Sequence, residues 1–227
     1  MPLDLARIHA ICFDIDGTLR DTDDQLVQQF EKVLRPMRFL LPGRDSQGYS
    51  RRVVMFMEEP GNFVKGLADT WHLDGHLAQL GERFRRPGSQ PRGKPPLIVP
   101  GVREMLATLS TRYPLAIVTA RGQRSTQAFL DAHQLTPFFR AIATEQTCEH
   151  TKPYPDPIIW AAKEMGVPPA HCLMVGDTTV DIRAGRAAGA QTVGVLCGFG
   201  QESELARLGA DLILPSTAAL TGYLPPK

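Results

Sequence analysis

Short apolar runs, each closed by a glycine or a polar residue, alternate along much of the chain with segments whose apolar positions recur every three or four residues. The first run is Ile8, Ala10, Ile11, Cys12 and Phe13, and it leads straight into Asp14-Ile15-Asp16-Gly17-Thr18-Leu19. A β-branched run ended by a turn glycine predicts a strand buried on both faces. The same pattern predicts strands over 115–119 (L-A-I-V-T), 138–144, 171–176 (H-C-L-M-V-G), 191–196 and 211–214. Helices fall between them. Val102, Met105, Leu106 and Leu109 share one stripe, 121–133 is helical, and 155–165 starts with prolines. A further helix follows 176 and runs to Gly189, which can terminate it. Repeated β-α units predict a parallel sheet with right-handed crossovers and helices on both faces. The expected fold is α/β, a three-layer doubly wound parallel sheet.

One block breaks the alternation. Nothing between Asp24 and Arg86 resembles a buried strand. Leu26, Phe30, Val33, Leu34 and Met37 make a helical stripe that Asp21, Thr22 or Asp23 can cap. Val53, Val54 and Met57, then Phe63, Val64, Leu67 and Trp71, predict two more helices split at Pro60-Gly61, and Leu77, Leu80 and Phe84 mark another. Proline and glycine crowd 87–100, the return linker. The division expected is a core built from 1–21 and 95–227, with an inserted all-helical cap domain, including its linker, over 22–94.

Composition narrows the class. The chain has 227 residues, 43% of them hydrophobic and 22% charged, which fits an ordinary globular protein and excludes disorder. A net charge of +1 with no basic stripe gives no reason to expect nucleic acid. No apolar run approaches membrane-spanning length, and the N-terminus has no apolar signal core. The four cysteines show no paired spacing, and Cys12 and Cys172 sit in strand-like runs as buried thiols. Cys148 and His150 lack a second pair of ligands. The expected location is cytoplasmic.

The candidate chemistry lies at the carboxyl ends of the predicted strands, where open α/β sheets bind ligands. In extended backbone Asp14 and Asp16 project to the same side. Two such carboxylates repel unless a cation or a shared proton compensates. Thr119 closes L-A-I-V-T, and its hydroxyl with the following backbone N–H groups of Ala120 and Arg121 suits a phosphate oxygen. Prolines follow Lys152 in K-P-Y-P-D-P and stiffen the backbone that aims it. Gly176-Asp177-Thr178-Thr179-Val180-Asp181 follows another strand, and a helix starting near Thr178 brings Asp177 and Asp181 to one side. Each of these alone has an ordinary structural explanation. Together they present carboxylates, a lysine and a threonine to one crevice, a set suited to Mg²⁺ and a phosphate. There is no G-x-S-x-G elbow, P-loop or dinucleotide glycine fingerprint.

The ordered strings D-I-D-G-T-L (14–19), V-T-A (118–120), K-P-Y-P-D (152–156) and G-D-T-T-V-D (176–181) resemble the haloacid dehalogenase superfamily. A helical insertion after the first string resembles its helical-cap class, as in phosphoglycolate phosphatase-like and β-phosphoglucomutase-like members. The resemblance implies that Asp14 is a nucleophile forming an aspartyl-phosphate and Asp16 the acid and base. It implies Mg²⁺ held by Asp14, the Asp16 carbonyl and Asp177, supported by Asp181, with Thr119 and Lys152 on the phosphoryl oxygens. Dehalogenase-like members lack an acid at position 16, so Asp16 disfavours dehalogenation. The candidate phosphate- and substrate-binding set is Gly17, Thr18, Arg20, Thr119, Ala120, Arg121 and Lys152, with Arg51 and Arg52 from the polar stretch 43–52. Arg20 and the T-A-R string depart from the family pattern and put arginines near the mouth, where they read a substrate anion or pair with cap carboxylates. The expected activity is Mg²⁺-dependent hydrolysis of a small phosphorylated metabolite. The alternatives are a sugar phosphomutase and a phospho-accepting signalling or binding protein.

Overall fold

The computed structural model describes residues 3–21, 32, 35, 36 and 97–224. The chain divides into two compact units, Met1–Asp21 with Pro96–Lys227, and Thr22–Pro95. The predicted cap helices and the polar stretch carrying Arg51 and Arg52 lie outside the described residues.

In the first unit the alternation of apolar runs becomes a parallel sheet. The strands are β1 (Ala10–Phe13), β2 (Leu115–Val118), β3 (Phe139–Ala143), β4 (Cys172–Gly176), β5 (Gln191–Val195) and β6 (Leu212–Leu214), in the order β3-β2-β1-β4-β5-β6. All neighbouring pairs are parallel. The helices are α1 (Val102–Ser110), α2 (Gln123–Ala132), α3 (Asp156–Met165), α4 (Thr179–Ala187), α5 (Glu202–Arg207) and α6 (Leu220–Tyr223). The expected strands and helices are there, with ends shifted by one or two residues. Helices α5 and α6 were not foreseen. Each is six residues or fewer, too short to show a periodic stripe.

The strands are apolar on both faces because both faces are covered. Ile11, Phe13, Leu115, Ile117, Leu173, Val175, Val193 and Val195 point to one side, into a cluster with Met105, Leu106 and Leu109 of α1 and Phe129 and Leu130 of α2. Their neighbours Ala10, Cys12, Ala116, Val118, Cys172 and Met174 point to the other, against Ile158, Ala161, Ala162 and Met165 of α3 and Ala184 of α4. The second face is built of smaller side chains, which lets α3 and α4 approach closely. Gly185 of α4 is one such contact, since a Cβ there would press on Thr192 and Met174. Cys12 and Cys172 are free buried thiols within this layer. No helix among the described residues is long and apolar enough to cross a membrane.

The sheet order fixes where a ligand crevice opens. From β1 the chain moves outward through β2 and β3, then returns to the other side of β1 with β4. The connections after β1 and β4 therefore diverge at their carboxyl ends, which makes this the topological switch point. Asp14 directly follows β1 and Asp177 directly follows β4. Part of the expected return linker is ordered against the core. Asp21 N donates to the Leu97 carbonyl at 2.9 Å and Val99 N to the Leu19 carbonyl at 3.0 Å, with an antiparallel bridge between Arg20 and Ile98.

Candidate active site

Strand β1 ends at Phe13, but Asp14 stays tied to the sheet, its N–H donating to the Val175 carbonyl at 3.0 Å. The chain then turns. Thr18, Leu19 and Arg20 all donate their N–H groups to the Ile15 carbonyl, and Gly17 N donates to the Arg20 carbonyl at 3.0 Å. Gly17 adopts φ +76, and a Cβ there would collide with the Asp177 carboxylate and the Phe199 ring. Only glycine meets both demands. Two further contacts hold the turn: Thr217 Oγ1 donates to the Thr18 carbonyl at 2.6 Å and Cys197 Sγ to the Gly17 carbonyl at 3.4 Å.

Asp14, Asp177 and Asp181 converge in this crevice. All three are buried, and one carboxylate oxygen from each lies within 4.8 Å of the others. Lys152, 7% exposed, bridges two of them, its Nζ donating to Asp14 Oδ1 and to Asp181 Oδ1 at 2.7 Å each. Asp177 Oδ2 accepts from the Phe199 N–H at 2.8 Å, and Oδ1 accepts from Thr18 Oγ1 at 3.3 Å. Asp181 Oδ2 accepts from the Thr178 N–H at 3.0 Å and from Thr178 Oγ1 at 2.7 Å. Asp181 therefore serves both the start of α4 and Lys152, which suits a supporting role. Thr178 is the N-cap of α4.

Asp16 takes other partners. Arg121 Nη1 donates to its Oδ1 at 2.6 Å, and Arg20 Nη1 donates to the same oxygen at 3.0 Å. Strand β1 itself stops at Phe13, and Asp16 still lies near enough to Asp14 for its charge to act on that carboxyl. Thr119 is buried beside Arg121, its Oγ1 accepting the Arg121 N–H at 3.2 Å, and Glu145 N donates to the Arg121 carbonyl at 3.0 Å. Ala120 is exposed between them. The structure thus brings Asp14, Asp177, Asp181, Lys152, Gly17 and Thr18 into one network, and Asp16, Arg20, Arg121 and Thr119 into a second. Sequence reasoning missed the loop after β5. Gly198 and Gly200 flank Phe199 there, and a Cβ at either would strike Asp177. The signal was a G-F-G string three residues after the end of a buried strand.

Burial dominates the electrostatics. It drives the Asp14 carboxyl up to about 7, against the Lys152 charge and with the push of Asp181 and Asp16. Burial and the neighbouring Asp181 and Asp14 also hold Asp177 well above the usual carboxylate range. Burial opposes the Lys152 charge, but Asp14 and Asp181 outweigh it and keep the ammonium protonated far into alkali. The crevice therefore carries more negative potential than one lysine relieves.

The profile of a family described as haloacid dehalogenase-like hydrolase matches residues 11–195. The chain belongs to this family. Among curated relatives, the hydrolase is 29% identical over 219 residues to the pyrophosphatase PpaX of Bacillus pumilus (strain SAFR-032), covering 95% of each chain. It is 25% identical over 214 residues to the phosphoglycolate phosphatase of Escherichia coli (strain K12), covering 85% of this chain and 82% of the relative. Among solved structures, a family hydrolase from Deinococcus radiodurans R1, described with bound phosphate and sodium, superposes with a TM-score of 0.66 at 25% identity, covering 96% of each chain.

The crevice of this hydrolase fits a hard divalent cation. Its potential ligands are clustered, buried carboxylate oxygens, and burial raises the pKa of the Asp14 and Asp177 carboxyls, a penalty that a metal charge would offset. A pH dependence follows. A carboxyl near 7 in the folded protein and near ~3.9 in the unfolded chain binds more protons when folded between those values. The stability Asp14 contributes without metal is thus fully present below about pH 4 and is lost as pH rises through about 7. A cation needs the ionised carboxylates, so its stabilisation grows over the same rise. The shift in melting temperature produced by saturating Mg²⁺ is expected to be larger at pH ~8 than at pH ~5.5, and to vanish in Asp177→Asn. An equal shift at both pH values would contradict this.

Proposed function

We propose that the protein is a Mg²⁺-dependent phosphomonoester hydrolase acting on a small phosphorylated metabolite through an aspartyl-phosphate at Asp14. The observation that carries this reading is the convergence of Asp14, Asp177, Asp181 and Lys152 at the switch point of the sheet. The names of the curated relatives, pyrophosphatase and phosphoglycolate phosphatase, agree with it. Residues 22–94 are proposed as the helical cap domain and 1–21 with 95–227 as the core.

In this mechanism Asp14 attacks phosphorus, and the bond to the leaving oxygen breaks as Asp16 delivers a proton to that oxygen. Asp16 then takes a proton from the water that attacks the acyl-phosphate, which restores the Asp14 carboxylate and frees inorganic phosphate. Lys152 binds a phosphoryl oxygen and orients Asp14. Thr119, with the backbone N–H groups after it, binds another. Asp14 and Asp177 would hold the cation, with Asp181 in support through Lys152 and Thr178. A bound Mg²⁺ supplies positive charge to the phosphoryl oxygens and keeps Asp14 ionised. Inorganic phosphate release from a panel of phosphorylated metabolites and p-nitrophenyl phosphate, with Mg²⁺ and with EDTA, tests the reading. Release that needs Mg²⁺ supports it. Absence of release from every compound would overturn it.

A further inference from the structure

Two arginines on a single carboxylate oxygen are an unusual use of buried charge. Arg121 is 6% exposed, and the side chains of Arg20 and Asp16 are 14% and 16% exposed. Ion pairs taken out of water lose solvation that the pairing barely returns, so such an arrangement adds little to stability. Both arginines nevertheless stand on fixed backbone. Arg20 is held by Gly17 N donating to its carbonyl, by its own N–H on the Ile15 carbonyl, and by the bridge to Ile98. The Arg121 backbone is held by Thr119 Oγ1 and by Glu145 N. The guanidiniums reach Asp16 from separate elements, Arg20 from the turn after β1 and Arg121 from the connection after β2.

Asp16 is the group assigned above to the leaving oxygen. Any substituent next to that oxygen therefore meets the two guanidiniums. They lie one hydrogen bond from Asp16 Oδ1, so they sit within about two hydrogen-bond lengths, roughly 5–6 Å, of the leaving oxygen. A guanidinium fork matches carboxylate or phosphate oxygens and gains little from a hydroxyl or a methylene.

We propose that Arg20 and Arg121 select substrates whose leaving group carries its own anion, a carboxylate or a phosphate, within two or three bonds of the oxygen that leaves. This rests on the phosphatase reading above and deepens it. On binding, the substrate anion takes donors from the guanidiniums while Asp16 addresses the adjacent leaving oxygen. The arginines are specificity residues, and their effect falls chiefly on KM.

The test compares 2-phosphoglycolate with 2-hydroxyethyl phosphate, which differ only in a carboxylate against a hydroxymethyl group, with p-nitrophenyl phosphate as a general reporter. The wild-type ratio of kcat/KM, carboxylate over hydroxymethyl, is expected to exceed roughly 10, the scale of one charge-assisted hydrogen bond. Arg20→Gln and Arg121→Gln should each lower that ratio by about 10- to 100-fold, mainly by raising KM for phosphoglycolate. Arg121→Lys, which keeps the charge but loses the fork, should restore part of it. A wild-type ratio near one, or a ratio unchanged in both Gln variants, overturns the proposal while turnover of p-nitrophenyl phosphate leaves the phosphatase reading standing. No turnover of any of the three with Mg²⁺ overturns both. The wild-type ratio needs no variant, so a substitution that fails to fold does not remove the test.

Discussion

Replacing Asp14 by Asn should lower kcat for Mg²⁺-dependent phosphate release by about 10⁴-fold or more, the scale on which enzymes lose rate when a covalent nucleophile is removed. The amide keeps the shape of the carboxylate but cannot form the acyl-phosphate. It also keeps the backbone bond to Val175, so the fold should persist. The metal-free variant should lose the buried charge that Lys152 bridges, and with it the repulsion from Asp181 and Asp16. Its melting temperature should therefore stay close to wild type or rise, while turnover collapses. Steady-state kinetics paired with a thermal melt separates the two effects. Turnover within about tenfold of wild type would remove Asp14 as the nucleophile.

Lys152→Met should produce the largest loss of stability together with a large loss of rate. The lysine is buried, and its Nζ bridges Asp14 and Asp181 at 2.7 Å each. Removing one partner of a buried ion pair costs about 3–5 kcal/mol, because the charges left behind have neither water nor a counterion. For a chain of this size that corresponds to roughly 6–20 °C in melting temperature. A divalent cation supplies the missing positive charge, so saturating Mg²⁺ should recover more stability in the variant than in wild type. The rate should still fall by about 10²–10³-fold, since the ammonium no longer meets the phosphoryl oxygen. A melting temperature unchanged without metal would contradict the arrangement of the three side chains.

Much of the fold was legible because both faces of the sheet are covered. Runs such as Cys172–Gly176 are then uniformly apolar and stand out from their flanks. The site was legible where a residue closes a strand. Asp14 and Asp177 each follow a buried run, and that placement alone sends them to the crevice. Lys152 was harder to read. It follows no strand directly, and only the co-occurrence of the other strings lifted it above a surface lysine. The division of partners was not legible. Nothing in D-I-D-G-T-L says that Asp14 will bond a lysine 138 residues away while Asp16 bonds two arginines. Those partners come from distant elements, which the period-two pattern of a strand does not encode. The Phe199 loop was missed for a related reason. Its contribution is a backbone N–H and the room left by two glycines, and neither has a side-chain signature.

The central claim is that phosphorus becomes bonded to Asp14 during turnover. Acid quenching of the protein in the presence of substrate and Mg²⁺, followed by borohydride reduction and peptide mass analysis, tests it directly. An aspartyl-phosphate is reduced to homoserine, and the account predicts homoserine at position 14 and at no other aspartate. An unmodified Asp14 during demonstrable turnover, or the modification at Asp16, Asp177 or Asp181 instead, would contradict it.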